Sequence, residues 1–115
     1  APAQLRQRVA EVLRIAAIFL DTKDFFVEIN LVDDDVMKKN VLSYEAPKDF
    51  ILGDIKEKFL GEIYLNPKYI KNHGENFDLM LVHGFLHLLG YVHELENDRM
   101  NMELIEEKIC ALLLD

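Results

Sequence analysis

Three of the four histidines in this 115-residue chain, His83, His87 and His93, fall within eleven residues. His83 and His87 are four apart, so on a helix they stand one above the other on the same face. The stretch from Leu79 to Leu89 is apolar on every side except at His83, Gly84 and His87, which is the composition of a buried helix. Imidazoles in such a helix need partners, because an unpaired buried polar group costs about 1–3 kcal/mol. A shared divalent metal satisfies one nitrogen of each ring at once. Gly90 lets the chain reverse tightly, and Tyr91-Val92 carries it back so that His93 faces the first two rings. The cofactor expected is one Zn2+ per chain, held by His83, His87 and His93. Three neutral imidazoles leave a fourth zinc position for water, the open arrangement of catalytic sites. Zinc lowers the pKa of such a water towards about 7.

Two plainer readings stand beside this one. His83 and His87 as separate hydrogen-bonded core residues, with His93 at the surface, is the first. A purely structural metal is the second, although such sites usually take four protein ligands and often thiolates, and Cys110 is the only thiol. Two histidines on one helical turn and a third past a glycine resemble the metzincin layout, which makes the expected site zincin-like. A zinc protease, however, places glutamate directly after the first histidine as general base. Here that residue is Gly84. Peptide hydrolysis is therefore the weaker hydrolytic reading, and no side chain is assigned as the catalytic base.

The elements that must hold these residues follow from periodicity. Residues 3–20 carry Leu5, Val9, Val12, Ala16 and Phe19 at helical spacing, which predicts an amphipathic helix. From Phe25 to Val32 the period becomes two, with Val27, Ile29 and Leu31 on one face, so this is a strand. Val41–Tyr44 and Gly61–Leu65 read as further strands; 47–58 is polar and receives no assignment. Asn66-Pro67 predicts a capped helix to about Asn72, and Asn76 a second cap for the histidine helix, which Gly90 stops. A last amphipathic helix begins near Asn97 and presents Met100, Leu104, Ile105, Ile109, Leu112 and Leu113. The fold class expected is α+β: one domain over 1–115, a small mixed sheet covered by helices, with the metal site on a buried helix.

Acidic residues outnumber basic ones by 21 to 13, for a net charge of -8, which argues against a general nucleic-acid binder but leaves room for a local basic groove. The lone Cys110, in a helical apolar pattern, reads as a buried inert thiol and suits a reducing, cytoplasmic compartment. Charges from Arg6 onward rule out reading the start as a signal peptide, and no apolar run approaches the roughly 20 residues that span a bilayer.

The run His83-Gly84-Phe85-Leu86-His87-Leu88-Leu89-Gly90-Tyr91-Val92-His93 closely resembles the signature of the YbeY family, His-Gly-x-Leu-His-Leu-x-Gly-Tyr-Asp-His, and fits it at ten of eleven positions. Asn40–Tyr44 and Gly61–Leu65 are similar to two of its strands, and Met102 and Glu106 to a methionine and a glutamate that follow the third histidine. The resemblance implies a metal-dependent endoribonuclease cutting single-stranded RNA in ribosomal RNA maturation and ribosome quality control. It implies zinc-ligand roles for His83, His87 and His93, RNA and the ribosome or its proteins as partners, and neither DNA nor a membrane. The sequence departs from the family in lacking the strand that usually precedes the first helix, and in Val92, where the family has aspartate. It also has only Asp33–Lys39 where members carry a helix and loop with an arginine and a Pro-Thr pair. RNA contact is accordingly expected from Lys38 and Lys39, with Lys68 and Lys71 as further candidates. Two other functions remain open: a zinc-stabilised ribosome-assembly or RNA-binding factor that does not cut, and a small metalloprotease.

Overall fold

A computed structural model describes residues 3–47 and 56–114. The elements run α1 (Ala3–Phe19), β1 (Phe25–Leu31), β2 (Val41–Glu45), β3 (Lys58–Leu65), α2 (Pro67–Asn72), α3 (Phe77–Leu88) and α4 (Glu96–Leu112). The three strands form one mixed sheet in the order β1-β3-β2, β3 being parallel to β1 and antiparallel to β2. The fold is therefore α+β, a small mixed sheet with helices packed on it.

β3 takes the centre because it is the strand that can be buried: Ile63 and Leu65 are fully inaccessible. It begins three residues earlier than Gly61, where the sequence places its start. Gly61 lies inside the strand at φ +136, and a Cβ there would stand 2.1 Å from the Tyr44 carbonyl oxygen, so only glycine fits. The pairing with β1 shifts between Phe26 and Val27, which leaves Leu60 as the extra residue of a bulge. The unassigned 47–58 segment lies mostly outside the described residues.

α3 packs across the inner face of this sheet, with Phe85 against Phe25 at 5.4 Å between ring centroids. Its ends are built from local chemistry. The Asn76 side chain accepts from the Leu79 N–H at 3.0 Å, replacing one of the bonds a helix start lacks. At the far end Tyr91 N–H donates to the Leu86 carbonyl and Gly90 N–H to that of His87, with Gly90 at φ +99. That is a Schellman stop. It turns the chain immediately after His87. α2 opens in the same way at Asn66, followed by Pro67.

α4 departs from expectation. Of the apolar residues that the sequence places along this helix, Met100, Leu104 and Leu112 are 59%, 49% and 53% exposed, while the buried row is Met102, Glu106, Ile109 and Leu113. A glutamate in that row hides it from a reading based on apolar spacing alone. Arg8 of α1 ties the helices together by donating to the Asp78 carboxylate and to the Leu113 carbonyl. No described helix is long and apolar enough to cross a membrane.

Candidate metal centre

His83 and His87 leave α3 on the same face, and the Schellman turn delivers His93 opposite them. One nitrogen from each ring lies within 4.8 Å of the other two. His83 Nε2 and His87 Nε2 are 3.1 Å apart, and the His93 ring stands 4.8 Å from that of His87 and 5.5 Å from that of His83, centroid to centroid.

The outward nitrogens decide which atoms face the centre. His87 Nδ1 is 3.0 Å from the Tyr91 carbonyl oxygen, which can only accept, so Nδ1 carries the proton. His83 Nδ1 is 2.6 Å from Glu106 Oε2 and likewise donates. In the neutral rings both Nε2 atoms then hold lone pairs that point at each other. A metal ion shared between them would relieve that repulsion. In a tetrahedral site with metal–nitrogen bonds of about 2.0–2.1 Å, ligand nitrogens stand about 3.4 Å apart; the His83–His87 pair, at 3.1 Å, is close to this, while the set of three spreads over 4.8 Å. Burial, and after it the nearby charge of His83, holds His87 below the ordinary imidazole pKa, which favours the neutral form a metal requires. The donor set can hold a divalent metal.

The triad opens on a cavity of about 770 Å³. One wall is β2, an edge strand, through Val41, Ser43 and Glu45, and the other is Tyr91, Val92 and His93. Among the candidate RNA contacts, Lys39 lines this cavity, whereas Lys38 is exposed and lies outside its lining. Lys68 and Lys71, both exposed on α2, are not part of the lining either. The 33–39 segment folds as a turn in which Val36 and Met37 N–H both donate to the Asp33 carbonyl. It buries Met37 and leaves Lys39 at the cleft. Gly84 is pressed against Ser43, Ile63 and Val41, so a base there would have to displace them.

Sequence reasoning found Glu106 only as a resemblance, without its place beside His83. The available signal was a glutamate at i, i+4 from Met102 in a row otherwise apolar. Cys110 is half-buried rather than buried.

A family model described as Endoribonuclease YbeY matches residues 1–113. The "Endoribonuclease YbeY" of Rhodopseudomonas palustris (strain HaA2) is 32% identical over 121 residues, covering 84% of this chain and 62% of that protein. That of Thermotoga petrophila is 32% identical over 99 residues, 74% of this chain and 64% of the relative. That of Thermodesulfovibrio yellowstonii is 42% identical over 64 residues, 48% of this chain and 40% of the relative. The chain belongs to the YbeY family and spans 62% of the length of the Rhodopseudomonas relative.

Proposed function

We propose that this YbeY-family chain is a zinc-dependent endoribonuclease that cuts single-stranded RNA during ribosomal RNA maturation and ribosome quality control, with 1–115 as its catalytic domain. The observation that carries the reading is the convergence of three imidazoles on one point of an open cleft. His83, His87 and His93 hold one Zn2+. When bound there, the ion supplies Lewis acidity towards a phosphodiester. The backbone carbonyl of Tyr91 and the carboxylate of Glu106 keep two of the rings turned towards it.

Lys39 faces the same cleft and contacts phosphate, while β2 lays an extended wall along which a single strand can run. RNA in the cytoplasm, and the ribosome or its proteins, are the partners this chemistry serves. The names of the relatives support the substrate class. The net charge of -8 supports a local basic contact rather than a general basic face.

The compact 33–39 turn, which leaves Lys39 as the one lysine lining the cleft among the described residues, favours a second reading: a zinc-stabilised RNA-binding factor that does not cut. Incubation with a structured RNA bearing single-stranded ends, with and without chelator, separates the two. Chelator-sensitive cleavage is expected. Binding without cleavage selects the second reading, and turnover of peptide but not RNA overturns both.

A further inference from the structure

We propose that Glu106 is a positioning residue for the metal: its carboxylate holds the Nδ1–H of His83, and so presents His83 Nε2 to the ion. The inference rests on the zinc reading above and adds a residue from a different helix to the site. Glu106 is 7% exposed, the sole buried ionisable side chain among the described residues. It lies between Met102 and Ile109 in the row of α4 that faces the core, where an apolar side chain would pack more cheaply. Burying a carboxylate is costly unless it is paired and hydrogen-bonded. What Glu106 finds there is His83, at 2.6 Å.

That contact does three things for a ligand. It places the proton on Nδ1, so the lone pair sits on Nε2. It fixes the rotation of the ring, because donor and acceptor must stay in line. It also leaves negative charge behind the imidazole, which makes Nε2 a stronger donor to a cation. The three histidines are not supported alike. His87 is held by a backbone carbonyl, Tyr91 O, which is fixed by the Schellman turn itself. At His93, 5.5 Å from His83 between ring centroids, no hydrogen bond is seen among the described residues. Glu106 is thus the side chain that holds a ligand ring in place, and His83 is the ring whose orientation depends on α4.

A purely structural glutamate would affect folding and leave the metal alone, so the test measures the two separately. Zinc affinity is read by competition with a chromophoric chelator, and stability of the metal-free protein by urea unfolding, for the parent, Glu106→Gln, Glu106→Asp and Met102→Ala. Glutamine keeps the shape and can still accept from Nδ1–H but carries no charge, and aspartate keeps the charge but pulls it back. Both should weaken zinc binding about 10- to 100-fold, the cost typical of losing such a partner. Met102→Ala, in the same buried row, should lower stability and leave zinc affinity within about twofold of the parent.

Nitrogen-15 spectra of the zinc-loaded parent give a readout that needs no variant: zinc on Nε2 of His83 and a proton on Nδ1. Glu106→Gln and Glu106→Asp both binding as tightly as the parent overturns the role of Glu106 alone. So does zinc found on Nδ1 of His83. A parent that takes up no zinc overturns the metal reading as well.

Discussion

The Ser43 hydroxyl donates to the Gly84 carbonyl at 2.9 Å, fastening the edge strand β2 to the middle of the histidine helix. The same closeness makes any side chain at 84 displace its neighbours. A Cβ there would lie 2.9 Å from Ser43 Oγ and 3.1 Å from both Ile63 Cγ2 and Val41 Cγ2. Alanine in place of glycine gains about 1 kcal/mol in a helix interior, while overpacking a core costs about 1–3 kcal/mol. Gly84→Ala should therefore destabilise the fold by roughly 1 kcal/mol, against the propensity trend. Pairing it with Ser43→Ala should cost less than the sum of the single changes. Urea unfolding of the four proteins checks this, and a stabilised Gly84→Ala contradicts it.

Asn66 is fully buried and works in two directions. Its side-chain oxygen caps α2 by accepting from the Tyr69 N–H at 3.0 Å, and its Nδ2 donates to the Met37 carbonyl and to Asp34 Oδ1, both at 2.8 Å. It thereby ties the 33–37 turn to the end of the central strand. Losing the cap costs about 0.5–2 kcal/mol, and stranding a buried carbonyl about 1–3 kcal/mol more. Asn66→Ala should lose roughly 2–4 kcal/mol in total. Asn66→Asp keeps the cap acceptor but sets a carboxylate oxygen against the Asp34 carboxylate and the Met37 carbonyl, so it should destabilise at least as much as alanine. A loss under about 0.5 kcal/mol for Asn66→Ala would show that water replaces these bonds.

What was legible in the sequence was the chemistry written locally. The caps at Asn66 and Asn76, the stop at Gly90 and the spacing of His83 and His87 each follow from a few adjacent residues, and each element stands where those residues put it. What was not legible depends on distant partners. Gly61 looks like the start of a strand until the Tyr44 carbonyl is seen against it. The exposed Met100 and Leu104 share the apolar spacing of α4, while its buried row contains Glu106, and that glutamate makes sense only with His83 beside it. The difference between Lys38 and Lys39 was equally hidden, since it is set by how the turn buries Met37.

Cys110 has its thiol pKa pushed up, first by burial and then by the negative charges of Asp78 and Glu106. The raised value means that the folded protein holds the thiol proton at a pH where the unfolded chain has begun to lose it. Alkylation by iodoacetamide near pH 8 should thus be slower for the native protein than for the urea-denatured chain, and should keep rising with pH beyond the ordinary thiol range. Any stability tied to this group is present at lower pH and lost as pH rises through the thiol range. Equal alkylation rates in the two states would contradict the expectation.

Lys39 lines the cleft and Lys38 does not. Each phosphate contact with a single strand adds about 0.7 to the slope of log affinity against log salt. Lys39→Ala should weaken RNA binding and shallow that slope by about 0.7, with zinc content unchanged, while Lys38→Ala should change either one little. The double variant should behave as Lys39→Ala does. If Lys39→Ala binds RNA as tightly as the parent at every salt concentration, the strand does not run along this wall.

Zinc titrated calorimetrically into metal-free protein tests the convergence of His83, His87 and His93 most directly. The parent should take up one ion per chain, and His87→Ala should lose most of that binding, because the two ligands left make a poor site. A parent that binds no zinc, or a His87→Ala variant that binds it with unchanged stoichiometry and affinity, would contradict the assignment of these three histidines.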